Sequence, residues 1–204
     1  MQLFNNEAIA SNVDLLLSEF KNSASRGLLS LLDKPQMMTP LWGHQRDALQ
    51  KWWKNDQRGY VDMATATGKT VLGLSAIALQ YGELHPDDQA IGGLTNNSHS
   101  SGSDDILIVA HSDLILEQWR REFENHLNIP QERTTGSDDI TLEWGTIHFR
   151  TPQSLVNDDN VAYDLVVIDE AHPYATGSYW GLLLDEFDAD VLAMSGSVDD
   201  ARSD

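Results

Sequence analysis

The sequence predicts a three-layer α/β domain, a mostly parallel sheet with helices on both faces, preceded by a short helical segment. Three observations carry this. A strand-like stretch from Tyr60 runs through a small-residue turn into the apolar, helix-like run Val71 to Leu79. The same unit repeats, as the apolar run Ile106-Leu-Ile-Val-Ala110 is followed by a helical pattern from Asp113 to Glu124 with Leu114, Leu116, Trp119 and Phe123 at apolar positions. A further apolar strand, Leu165-Val-Val-Ile168, ends abruptly in Asp169-Glu-Ala-His172. Continuous apolar strands alternating with helices are what a parallel sheet buried on both faces requires.

The turn in the first unit, Met63-Ala-Thr-Ala-Thr-Gly-Lys-Thr70, has the layout of a phosphate-binding loop at a helix N-terminus. Gly68 allows close backbone approach to an anion, the exposed N–H groups at the helix start donate to phosphate oxygens, and Lys69 adds positive charge. The Thr70 hydroxyl can complete a magnesium shell. Spacing backwards from Gly68 puts Met63 where the loop's first glycine belongs, and Ala66 at another small or glycine position. Either these are substitutions or two residues are lost from a longer loop. A Gly-Lys-Thr tripeptide also occurs in ordinary strand-to-helix turns, so the reading needs support downstream.

That support comes from the third strand. Ligands of open parallel sheets bind beyond the carboxyl ends of the strands, and Asp169 and Glu170 stand at such an end. Consecutive acids on a strand point to opposite faces. Asp169 is therefore expected to hold magnesium beside Thr70, and Glu170 to polarise a water attacking the γ-phosphate. The plainer alternative is that both acids solvate a strand end.

The remaining elements follow in order. Residues 1–38 carry two helix-like patches, Val13 to Phe20 and Gly27 to Leu32, and form the expected helical preface to a main domain at 39–204. Pro40 to Trp52 reads as an amphipathic helix with Ala48, Leu49, Trp52 and Trp53 inward. Its Gln45 carries an amide suited to an adenine edge, or is a solvated helix residue. Residues 82–105 are polar and small, a long surface loop. Thr146 to Arg150 alternates as a strand, and Thr151 with Pro152 opens a short helix as N-cap and first residue.

Composition narrows the setting. The chain has 204 residues, with 13 Lys and Arg against 32 Asp and Glu, a formal net charge of −19. Such a surface repels phosphate backbones at low salt. Acids scattered over every segment favour adaptation to high intracellular salt over a basic partner, and folding that fails below molar potassium chloride would support the former. There is no cysteine, hence no disulfide framework. No signal peptide is visible and no apolar run approaches ~20 residues, so a soluble cytoplasmic protein is expected. The seven histidines lack metal-ligand spacing, and no zinc is expected.

Taken in order, Leu-Trp-Gly-His-Gln45, the Met63–Thr70 loop, Val-Ala-His-Ser-Asp-Leu-Ile-Leu-Glu-Gln-Trp119, Thr-Pro-Gln-Ser-Leu155, Val-Ile-Asp-Glu-Ala-His172 and Leu-Ala-Met-Ser-Gly-Ser197 resemble the first lobe of superfamily 2 helicases. The resemblance is to the DEAH-type group that includes type III restriction-enzyme subunits, and the acidity suggests a haloarchaeal type. It implies a RecA-like P-loop NTPase fold and an ATP-binding lobe of a DNA-dependent ATPase or helicase. It further implies ATP and magnesium bound by Thr67, Gly68, Lys69, Thr70 and Asp169, adenine recognition by Gln45, and catalysis through Lys69, Asp169 and Glu170. His111, Ser112, Gln118 and Thr151 match positions that contact a DNA strand, with helix caps and plain surface as the other reading. His172, Ser195 and Ser197 would couple nucleotide state to the DNA path. The ending Ser-Gly-Ser-Val-Asp-Asp departs from the family's usual Thr-Ala-Thr-Pro or Gly-Thr-Pro. The family's second lobe, with its arginine finger, does not follow before Asp204. The chain alone is thus expected to hydrolyse ATP slowly, with a separate chain as one source of that lobe. A degenerate, non-catalytic binding or regulatory module is the alternative.

Overall fold

The structure, a computed structural model, describes residues 34–64, 66–89, 104–129, 139–142, 144–155, 162–171 and 188–196. The expected helical patches at 13–20 and 27–32 lie outside the described residues. In chain order the elements are α1 (Gly43–Lys54), β1 (Arg58–Asp62), α2 (Lys69–Tyr81), a 3-10 turn (Pro86–Asp88), β2 (Asp104–Val109) and α3 (Asp113–His126). There follow β3 (Ile140–Thr141), β4 (Gly145–Arg150), the single turn α4 (Pro152–Leu155), β5 (Leu165–Ile168) and β6 (Asp190–Ser195).

The strands form one six-stranded sheet in the order β1-β6-β5-β2-β4-β3, and only the β3–β4 pair is antiparallel. The domain is thus of the predicted RecA-like α/β class. Because β1, β6, β5 and β2 run parallel, their carboxyl ends at Asp62, Ser195, Ile168 and Val109 share one edge, and the functional candidates gather there.

Side-chain alternation explains how the sheet is covered. Ile106, Ile108, Leu165, Val167, Leu192 and Met194 face one cluster with Leu49 and Trp52 of α1, most of α2, and Leu116, Trp119 and Phe123 of α3. Leu107, Val109, Val166, Ile168, Val191 and Ala193 face a second cluster that includes Tyr163 and Ala171. Helix α2 is buried continuously from Leu72 to Tyr81, so it is apolar all round, as a helix packed on several sides must be. The Trp52 indole N–H donates to the Val191 carbonyl at 2.9 Å and ties α1 to β6. Among the described residues no helix is long and apolar enough to cross a membrane.

Two sequence readings change. The stretch 82–105 is not loop throughout, because Asp104 and Asp105 already belong to β2, and Asp88 of the 3-10 turn is 1% exposed. Asp88 accepts the Leu41 N–H at 2.7 Å and pairs with Arg46, so this polar segment anchors the entry to α1. In α3, Leu114 is 75% exposed, since the helix turns its Leu116–Trp119–Phe123 stripe inward. Strands β3 and β6 have no counterpart in the sequence reading.

At the β4–β3 edge of the sheet Asp139, the residue before β3, is tied to β4. Arg150 clamps both its oxygens at 2.6 and 3.1 Å, and His148 Nδ1 lies 3.1 Å from Oδ2. His148 Nε2 is 3.5 Å from Asp105 Oδ1, and its ring meets Tyr163 edge-on. Burial pushes the Asp139 carboxyl up, but the bonds from His148 and Arg150 outweigh it and hold it well below the carboxylate range. The bond to Asp139 raises His148 above its ordinary value against the opposing effect of burial. A lowered acid contributes stability above its unfolded pKa and loses it as pH falls. A raised histidine contributes below its unfolded pKa and loses it as pH rises through the folded one. The network should therefore stabilise most between about pH 4 and 6.5. In urea midpoints followed against pH, Asp139→Asn should flatten the acid limb and His148→Gln the alkaline limb.

Candidate functional site

The candidate phosphate loop connects the carboxyl end of β1 to the N-terminus of α2. Met63 continues the β1–β6 pairing, its N–H donating to the Ser195 carbonyl at 3.0 Å, and its side chain is buried in the core. A residue there needs no glycine conformation, which accounts for methionine at the loop's first position. The Thr67 hydroxyl and N–H both bond the Ala64 carbonyl, at 2.6 and 3.3 Å, closing a turn. Within it Ala66 has φ +63°, and Gly68 at the N-cap has φ +79°. Gly68 adopts this left-handed backbone freely, whereas Ala66 carries a cost of about 1–2 kcal/mol. Ala66→Gly should recover part of that, less about 0.4–1 kcal/mol for the freer unfolded chain, raising the melting temperature by roughly 1–3 °C in calorimetry.

Past the loop, Lys69 enters the first turn of α2 and its Nζ lies 2.9 Å from Glu170 Oε1. The lysine side chain is 10% exposed, so the pair is screened on its side from water. Thr70 follows, half-buried, in the same turn.

Strand β5 ends by splitting its two acids. The Asp169 N–H bonds the Val109 carbonyl of β2 at 2.8 Å, while the Ala171 N–H bonds the Met194 carbonyl of β6 at 2.7 Å. Between them Glu170 takes φ +53°, a strained turn for a non-glycine residue. That turn sends its carboxylate to Lys69 and to the Gly196 N–H, which donates to Oε2 at 3.3 Å. Asp169 is buried and points instead towards α3, where the Trp119 indole N–H donates to Oδ2 at 2.9 Å. Its Oδ1 accepts the Glu170 N–H at 2.9 Å.

These surroundings move the acids apart. Burial is the largest influence on Asp169 and, with the nearby Glu170 charge, raises its pKa despite the Trp119 bond. Burial also raises Glu170, but the Lys69 and Gly196 bonds and the charges of Lys69 and His111 bring it below the ordinary value. Glu170 is thus held ionised, and Asp169 is a buried carboxyl whose charged form would gain from a cation. No hydrogen bond joins Asp169 to Thr70. Among the described residues no three His, Cys, Asp or Glu side chains cluster as a self-sufficient metal site. One carboxyl and one hydroxyl fit magnesium only when phosphate oxygens and water supply the other ligands, which is how magnesium is commonly bound.

Residues 39–199 match the family described as Type III restriction enzyme, res subunit. The chain belongs to that family. No curated protein matches it. Among solved structures it is similar to a nuclease-deletion mutant of the Type ISP restriction-modification enzyme LlaGI in complex with a DNA substrate mimic. That likeness has 16% identity and a TM-score of 0.45, over 80% of this chain and 19% of that one. It is also similar to the Hef helicase domain of Pyrococcus furiosus, with 17% identity and a TM-score of 0.49, over 74% of this chain and 32% of that one. The chain thus spans a minor part of the length of either.

Other candidates of this res-subunit domain fall at different places. Gln45 is 2% exposed, so it is not the solvated helix residue of the plainer reading; its Nε2 donates to the Thr67 and Gly68 carbonyls, both at 3.1 Å, and its Oε1 accepts the Trp42 N–H at 2.8 Å. Ser195, fully buried, ends β6, and its carbonyl holds Met63. His172 and Ser197 lie outside the described residues. His111 and Gln118 are exposed and Ser112 half-exposed near the start of α3. Ser112 is the N-cap of α3 without a side-chain cap bond. Thr151 makes the expected cap: its N–H donates to Ser154 Oγ at 2.9 Å and its Oγ1 accepts the Ser154 N–H at 3.3 Å. Thr151 also borders a depression of about 690 Å³ with Asp113, Leu116, Arg120, Arg150 and Gln153. The sequence reading missed Trp119 as the partner of Asp169 and the Gly196 N–H as the partner of Glu170. Trp119 stands out only as an apolar helix position, and nothing in its spacing says which strand its indole reaches.

Proposed function

We propose that this chain is the ATP-binding lobe of a DNA-dependent ATPase of helicase type, DEAH-like, whose hydrolysis drives translocation on or unwinding of DNA together with a second lobe. The observation that carries the reading is the 2.9 Å contact between Lys69 and Glu170. It brings the phosphate-loop lysine and the acid at the end of β5 to one point on the sheet edge where nucleotides bind. In this reading Thr67, Gly68 and Lys69 hold the triphosphate, and Thr70 and Asp169 hold magnesium. Bound magnesium would neutralise phosphate charge, and Glu170 would orient the attacking water. His111, Ser112, Gln118 and Thr151 would follow the DNA backbone, and Ser195, with His172 and Ser197, would link the two sites. The net charge of −19 supports a high-salt cytoplasm as its setting.

The test is phosphate release from magnesium-ATP by wild type and Glu170→Gln, with and without duplex DNA. Slow release, raised by DNA and lost in Glu170→Gln while ATP still binds, is expected. Release that persists in the variant would remove Glu170 from the chemistry. A second reading, a degenerate module that does not turn over, is favoured by Ala66 in its left-handed turn, and binding without any release would support it.

A further inference from the structure

We propose that Trp119 is a positioning residue that ties helix α3 to Asp169, so that a DNA strand held on the outer side of α3 is felt at the carboxylate of the proposed magnesium site. The inference rests on the nucleotide- and DNA-binding reading above. Asp169 is bonded to both ends of one segment. Its N–H donates to the Val109 carbonyl at 2.8 Å, and its Oδ2 accepts the Trp119 indole N–H at 2.9 Å. Between Val109 and Trp119 lie His111 and Gln118, both exposed, and Ser112, whose hydroxyl makes no cap bond to the helix it opens. These three candidates for contact with a strand backbone thus sit on a span whose two ends are fastened to the same buried acid.

The indole has a second contact. Its six-membered ring lies over Gly73 of α2, where an added Cβ would stand 2.6 Å from Trp119 Cη2. Glycine inside a helix is unfavourable, and here it makes room for the ring. Gly73 is about one turn beyond Lys69, in the helix that Lys69 and Thr70 open. One buried side chain therefore abuts both elements that carry a magnesium candidate, the end of β5 through Asp169 and α2 through Gly73. Gln118 and Trp119 are consecutive, about 100° apart around the helix, so a shift or roll of α3 under a ligand on its outer side carries the indole with it. A close-packed interior passes such a shift on through its side chains and hydrogen bonds. The orientation of the Asp169 carboxylate is thereby made to depend on what α3 holds.

The experiment measures magnesium-ATP binding by calorimetry with and without saturating duplex DNA, for wild type, Trp119→Phe and Phe123→Leu. Trp119→Phe removes the donor and trims the ring over Gly73. Phe123→Leu, one turn further along the same buried stripe, loosens packing against Phe149 and leaves the Asp169 bond in place. In wild type, DNA should change the ATP affinity by about tenfold. Trp119→Phe should abolish that change while still binding both ligands, and Phe123→Leu should keep it. A parallel DNA titration without nucleotide follows the assigned indole N–H resonances: Trp119 should move, and Trp52, bonded to the Val191 carbonyl, should not. Full coupling in Trp119→Phe, equal loss in both variants, or no effect of DNA on a wild type that binds ATP would overturn the proposal. If wild type binds no magnesium-ATP, the nucleotide reading fails. In that case, or if Trp119→Phe does not fold, the indole resonances decide. A shift of Trp119 alone upholds the tie; a Trp119 that stays put, or moves only together with Trp52, overturns it.

Discussion

Gly68→Ala should abolish nucleotide binding and lower stability by about 2–4 kcal/mol. The φ of +79° at Gly68 is one source of the loss, because a Cβ in left-handed backbone meets the following carbonyl. The second source is local. A Cβ at this position would stand 2.4 Å from Gln45 Nε2. The amide is the tip of a flexible side chain and would give way, but it is buried and makes three hydrogen bonds, so moving it breaks its bonds to two loop carbonyls and to the Trp42 N–H together. The loop and the first turn of α2 then lose their fixed geometry, and binding of magnesium-ATP should fall by at least ~100-fold. Urea unfolding and calorimetry on the same preparation separate the two effects. An alanine variant that binds as well as wild type would show that this turn does not meet the ligand.

Trp119→Phe should be nearly as damaging, by a different route. Trp119 is 1% exposed, and its indole edge fills the space over Gly73, where an added Cβ would be 2.6 Å from Trp119 Cη2. The smaller ring leaves a cavity and strips the buried Asp169 Oδ2 of its donor, a combined cost of about 2–4 kcal/mol. The pH dependence is the specific readout. Burial already raises Asp169, and the Trp119 bond opposes that rise. Removing the bond moves the carboxyl further up, so the ionised form is lost at higher pH than in wild type. The acid limb of magnesium-ATP binding should shift upwards in Trp119→Phe and disappear in Asp169→Asn. A loss of stability with no change in that limb would limit Trp119 to packing.

The fold was legible where one residue pattern had one structural outcome. Apolar runs such as Ile106 to Val109 and Leu165 to Ile168 lie in strands buried on both faces, and Gly68, as N-cap, with Lys69 and Thr70 before an apolar run opens α2. Strand β6 escaped because Asp190 to Ser195 mixes acid, alanine and methionine, and it owes its pairing to β1 and β5 on either side. Strand β3 has two residues, too few for any period to appear. The acids of the site were legible as types at a strand end, and Lys69 and Thr70 as types at a helix start. Their partners were not, because an indole on α3 and an amide on α1 reach the site only through tertiary packing. The Ala66 departure was visible as a residue, but its cost depends on φ, which composition does not carry.

Magnesium-ATP binding measured by calorimetry in high salt, wild type against Lys69→Ala, tests the central claim most directly. Micromolar binding by wild type, lost in Lys69→Ala with the fold intact, is the predicted result. It would mean that the loop between β1 and α2 holds phosphate despite Met63 and Ala66. No binding by a folded wild-type chain, or equal binding by the alanine variant, would contradict the account.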